Sequence, residues 1–214
     1  SDEPVTVRLD VQGPAEVSAA DLTVPSEVEV LNPELHVATL MRTGNAKAAI
    51  AALTPLLKHA SDEPAVLALA AEAHMQAREF SKATALLEHA AQLRADDPRT
   101  FMRLAAARIA AGDSRNGLLA LERAVDSDKE GIGAQFILAN ALLSQRDFGK
   151  ALAVGQQIQA RQPQSPIGFN LAGAIQARQG DVAAARASFE QATKRDPGYW
   201  PATNNLSRLG LPAG

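Results

Sequence analysis

The chain has 214 residues, enough for one or two ordinary domains, and 46% of them are hydrophobic, so composition allows a sizeable core. Aromatic residues make up only 4% and alanine dominates the apolar set, which favours closely stacked helices over a β-sandwich. With 21 basic and 24 acidic residues the net charge is −3, so no broad basic field exists for nucleic acid, and with no cysteine there is no disulfide framework, zinc-thiolate site or thiol nucleophile. No stretch reads as a membrane span.

Residues 5–11 (VTVRLDV) alternate apolar and polar side chains, which is a strand signal. Residues 24–30 alternate again, interrupted by Pro25, and the GPAEVSAADL between them reads as a turn and a short helix. Two short strands are marginal by themselves. Residues 1–29 are therefore expected to form an extended or partly disordered leader, with a two-stranded ribbon packed on the first helices as the alternative.

From residue 30 onward the chain repeats itself every 34 residues, in units 30–63, 64–97, 98–131, 132–165 and 166–199. Each unit reads as a helix, a tight turn and a second helix. The turn position is Gly44, Arg78, Gly112, Arg146 and Gly180, and glycine there ends a helix in a left-handed conformation at no steric cost. The next residue is Asn45, Glu79, Asp113, Asp147 and Asp181, and Asp or Asn at that point caps the following helix. Small residues recur at one point of the first helix (Val37, Ala71, Ala105, Ala139, Gly173) and at one point of the second (Ala49, Ala83, Gly117, Ala151, Ala185), so the helices of a unit can approach closely. The large partner is Leu53, Leu87, Leu121, Gly155 and Phe189, with the fourth unit breaking the rule. Pro163 and Pro197 stop the last two second helices. Residues 200–214 form a half-repeat whose helix, about 202–209, is expected to cap the fifth unit. Tyr199 and Trp200, at that joint, are expected to pack on the preceding helix.

No catalytic constellation stands out. His74 occupies a core-type position and is expected to be a satisfied, half-buried histidine; His36, His59 and His89 complete the set, and no HExxH or other metal spacing occurs. There is no phosphate-binding glycine loop, because the Gly-Ile-Gly at 131–133 lacks a third glycine and a preceding strand. Ser188 and Ser207 have no base in obvious company. The chain is therefore expected to be non-enzymatic and to carry no metal or cofactor.

The in-register pattern resembles the tetratricopeptide repeat (TPR), departing from its consensus where the usual Trp is replaced by Pro33, Leu67, Phe101, Gln135 and Phe169 and the usual Tyr by Leu40, His74, Arg108, Leu142 and Gln176. The resemblance implies an all-α, right-handed α-solenoid of about five helix-turn-helix repeats plus a capping helix, whose first helices line a concave groove. It places in that groove Glu72, Arg99, Met102, Arg103, Phe136, Asn140, Asn170, Arg178, Asn204 and Arg208, with Gln76, Ser144 and Asn205 beside them. Asn amides offer donors and an acceptor to an extended peptide backbone, and the arginines favour a carboxylate-bearing partner.

The C-terminal units go further. KALAVGQQIQARQP and FNLAGAIQARQGDVAAARASFEQATKRDPGYWPATNNLSRL, within residues 64–214, resemble the TPR lipoproteins associated with PEP-CTERM/exosortase clusters. That resemblance implies a periplasmic scaffold near exopolysaccharide production, tethered to the membrane only through an anchor outside this chain, with a cytoplasmic setting as the alternative. The expected partner is a protein or peptide in the groove. Direct polysaccharide binding, or a chaperone-type adaptor role, is the runner-up.

Overall fold

The structure, a computed structural model, describes residues 33–128 and 131–210. Eleven helices occur among them: α1 (Pro33–Arg42), α2 (Ala46–His59), α3 (Pro64–Gln76), α4 (Phe80–Leu93), α5 (Pro98–Ala110), α6 (Ser114–Ser127), α7 (Gly133–Ser144), α8 (Phe148–Arg161), α9 (Ile167–Gln179), α10 (Val182–Arg195) and α11 (Trp200–Leu209). They pair in the predicted register, and each packs chiefly on its neighbours in the chain, which is the α-solenoid expected from the repeat. The expected leader, 1–29, lies outside the described residues, as does 211–214 at the end of the half-repeat.

One turn is built five times. The residue at the turn position has a positive φ in every unit: Gly44 at 76°, Arg78 at 61°, Gly112 at 89°, Arg146 at 62° and Gly180 at 86°. In each turn the following residue's N–H donates five residues back, for example Asp113 to Arg108 at 2.8 Å and Asp181 to Gln176 at 3.0 Å, and the turn residue's N–H donates three back. This is the Schellman pattern, which satisfies carbonyls that the ending helix leaves open. Two arginines thus adopt the same backbone as three glycines, at a steric cost on the order of 1–2 kcal/mol each.

The next helix starts on a capping side chain in four of the five units. Asn45, Asp113, Asp147 and Asp181 each accept from the backbone N–H three residues on. Glu79 does not cap, because its longer carboxylate is taken by His74 Nδ1 at 2.7 Å and Lys82 Nζ at 3.0 Å. Between units, Pro64 and Pro98 open α3 and α5 at the first turn, where the missing N–H costs nothing.

Behind these ends the helices close on small residues. Ala49, Ala83, Ala151 and Ala185 are fully buried, as are Val37 and Ala139 on the first helices. Gly155 stands in place of the usual large residue, although a Cβ built on it would meet only ordinary contacts at 3.9 Å; the tight approach is at Gly168 of the next unit. A Cβ built on Gly168 would lie 2.9 Å from Gln159 N and 3.2 Å from Gly155 O, so α8 and α9 touch backbone to backbone. Two arginines bind second helices to the preceding loops. The Arg161 guanidinium donates to the carbonyls of Asp128 and Gly131, both at 3.1 Å, and Arg195 Nε donates to Pro163 O at 2.8 Å. Arg195 also lies over the Phe169 ring, 3.5 Å from its centre.

Candidate functional site

The first helices α3, α5, α7, α9 and α11 recur at the unit spacing, so residues in one register share one face. Two holes open on that face among the described residues. The first, about 330 Å³, lies between α3 and α5 and is lined by Ala68, Ala71, Glu72, Met75, Arg103 and Ala106, with Leu87 of α4 behind. The second, about 320 Å³, lies between α9 and α11 and is lined by Ala174, Ala177, Arg178, Asn205, Arg208 and Leu209, with Phe189 of α10 behind. Leu87 and Phe189 hold the same place in their units. In the middle of the face Met102 packs half-buried against the core, while Phe136 and Ile137 remain 40% and 44% exposed.

The structure thus gathers the predicted residues into two groups. Glu72 and Arg103 rim the first hole, and Arg178 and Arg208 line the second. The side chains of Glu72, Arg99, Arg103, Arg178 and Arg208 are exposed and have no ion-pair or hydrogen-bond partner among the described residues. Four arginines against one carboxylate make this face electropositive on a chain of net charge −3. The asparagines are less free than an amide ladder requires. Asn205 Nδ2 donates to Asn170 Oδ1 at 2.9 Å, and Asn140 Nδ2 donates to the Phe136 carbonyl of its own helix at 2.9 Å. Asn204 is half-buried with no such bond.

Several polar groups off this face are tied into the fold. His74 is held by Glu79, whose carboxyl is lowered below its ordinary range first by Lys82 and then by His74. His89 Nε2 pairs with Asp62 Oδ1 at 3.1 Å. Ser188 Oγ bonds the Gln176 amide at 2.7 Å. Among the described residues no group of three or more His, Asp or Glu is placed to hold a metal, and no helix is long and apolar enough to cross a membrane. At the C-terminal joint Tyr199 is half-buried, which raises its hydroxyl pKa. Trp200 corrects the expectation of packing: it is 70% exposed, because it opens α11 at the first turn while Ala202 takes the buried position.

Sequence reasoning missed a larger cavity on the second-helix side. About 640 Å³ opens between α4 and α6 over Phe101 and Leu104, crossed by the Arg108–Glu88 pair at 2.7 Å. Its signal was present: Arg108 replaces the consensus tyrosine, and Ala91, Ala95 and Ala120 leave space around it.

Comparison with known proteins decides the family. Two tetratricopeptide-repeat profiles match the chain, one over residues 40–107 and the other over 102–166 and 171–214, the latter spanning more than half of it. The chain belongs to the tetratricopeptide-repeat family. Solved TPR structures share its fold at low identity. YrrB, a TPR protein with an unusual peptide-binding site, is 17% identical, with 82% of this chain and 90% of that one covered and a TM-score of 0.59. MamA residues 41-end from Desulfovibrio magneticus RS-1 is 17% identical (78% and 94% covered, TM-score 0.62), and the thermophilic TPR protein TTC0263 of Thermus thermophilus is 16% identical (83% and 97%, TM-score 0.57). A separate, short likeness joins the chain to the DNA-directed RNA polymerase α subunits of Oceanobacillus iheyensis and Bacillus velezensis. Each is 60% identical, over 45 and 40 residues (21% and 19% of this chain), and the chain spans only 14% and 13% of their lengths. A TPR solenoid of this kind is an interaction scaffold.

Proposed function

We propose that the first-helix face of this TPR solenoid docks an extended, acidic segment of a protein partner. The observation that carries this is the set of unpartnered arginines, Arg99, Arg103, Arg178 and Arg208, on one face of an otherwise acidic chain. A guanidinium without an internal partner is ready to take a carboxylate in a bidentate pair, and such charge-assisted bonds contribute about 1.5–3 kcal/mol. The peptide-binding character of YrrB adds support for the mode of use. Fluorescence anisotropy with a labelled glutamate-rich peptide tests it. Binding should weaken steeply with salt, and Arg178→Ala with Arg208→Ala should weaken it about tenfold or more. A glutamate-rich peptide that binds no better than a lysine-rich one at low salt overturns the reading.

The resemblance of residues 64–214 to exosortase-associated lipoproteins supports an envelope setting beside exopolysaccharide export. An alkaline phosphatase fusion to the natural full-length protein, active only in the periplasm, checks that setting; an inactive fusion places the scaffold in the cytoplasm.

A further inference from the structure

We propose that the hole between α3 and α5 is an anchor pocket for one leucine-sized apolar side chain of the docked segment, an inference that rests on the acidic-segment reading above. The hole measures about 330 Å³, and its floor is hydrocarbon: Ala68, Ala71 and Met75 of α3, Ala106 of α5, and Leu87 of α4 at the back. It exists because two positions are small. One unit later the same positions hold Met102 in place of Ala68 and Asn140 in place of Ala106. An open apolar hollow leaves its lining without contact atoms on one side, and an aliphatic side chain from a partner restores them while leaving water.

The rim selects what enters. Arg103 and Glu72 flank the hollow, and neither has an internal partner among the described residues. Arg103 attracts a carboxylate next to the anchor on the α5 side, and Glu72 repels one on the α3 side. The sister hole between α9 and α11 has the same register but a different rim, with Arg178, Arg208 and the Asn205 amide, and suits a carboxylate. The two holes therefore give the face a direction, with the apolar anchor towards α3 and the acidic residues running towards α11.

The test uses two labelled glutamate-rich peptides that differ only in carrying leucine or alanine at one central position. The leucine peptide should bind the wild-type chain about tenfold tighter or more, from the area that one buried leucine removes from water. Ala106→Leu fills the hollow from an exposed position, so the fold should survive, and it should abolish the leucine preference. Arg103→Glu, a surface change, should weaken the leucine peptide in the same assay. Equal binding of the two peptides by the wild type overturns the pocket and leaves the acidic-segment reading standing. A leucine preference that survives Ala106→Leu also overturns it. Failure of both peptides to bind overturns both readings. Self-association of the chain that Ala106→Leu abolishes would instead assign the hollow to a second copy.

Discussion

Gly173 and Phe189 divide one space between them. A Cβ on Gly173 would lie 2.6 Å from Phe189 Cδ1 and Cε1, well inside contact distance. In the second and third units the same two positions are Ala71 with Leu87 and Ala105 with Leu121, all buried. The fifth unit has moved volume from one partner to the other, and a volume-conserving exchange is the kind that cores tolerate. Gly173→Ala should therefore cost about 1–3 kcal/mol by overpacking. Adding Phe189→Leu should recover most of that loss, because it recreates the pair of the other units. Chemical denaturation of both single variants and the double variant measures the coupling. If Gly173→Ala costs the same with leucine at 189, the glycine is there for another reason. Comparing positions within units made this pair visible in the sequence. It could not show the close approach of Gly168 to the second helix of the unit before, because comparing repeats is blind to contacts between them.

The helix ends follow the same logic with different chemistry. Four caps use Asn or Asp, whose short side chains reach the third N–H, and the one glutamate is drawn away by His74 and Lys82. The sequence announced the caps correctly where the side chain was short. It missed the diversion of Glu79 because that depends on a histidine of the preceding helix. The caps carry a pH signature. Asn116, through its side chain and then its backbone N–H, holds the Asp113 carboxyl below its ordinary value of 3.8. At Asp97 burial pushes upward, but bonds from Thr100 and the Arg99 N–H leave it lowered from 3.8 as well. A carboxyl lowered in the folded state stabilises the fold above its unfolded pKa, and that contribution disappears as pH falls through the folded value. The thermal midpoint should thus drop on acidification below about pH 4. Asp113→Asn keeps a capping acceptor but cannot titrate. It should leave the midpoint near pH 7 almost unchanged and flatten the acid limb. An acid limb of unaltered slope in this variant would show that the cap at Asp113 does not contribute to it.

At the scale of the whole molecule, the period, the helix pairs and the turn were legible, because a solenoid repeats its local chemistry. The site was legible only as a face. Repeat register tells which residues share the first-helix side, so Arg103, Arg178 and Arg208 could be named. The two holes depend on what is missing, Ala68 and Ala106 in one and Ala174 and Ala177 in the other, seen against side chains from neighbouring units. The same neighbour-only packing shapes stability. Much of the buried core among the described residues falls into two clusters: Val37, Met41, Ala49 and Leu53 meet Ala70 and Ala73 at the N-terminal end, and a larger continuous cluster runs from Ala71 to Ile175. The half-buried Leu86 packs against both. Stability in such an array is close to a sum of unit and interface terms, so damage to a terminal unit should stay there. Leu53 and Leu121 are chemically identical and both fully buried. Truncating either to alanine removes about 2–5 kcal/mol of local packing. Leu53→Ala should accelerate amide hydrogen exchange in α1 and α2 while α5 to α8 keep their protection, because little beyond α3 touches that cluster. Leu121→Ala sits inside the continuous cluster and should lower protection from α4 through α8 together. Uniform loss of protection across all helices in Leu53→Ala would mean that the two clusters unfold as one, and that the coupling through Ala70, Ala73 and Leu86 is stronger than nearest-neighbour stacking requires.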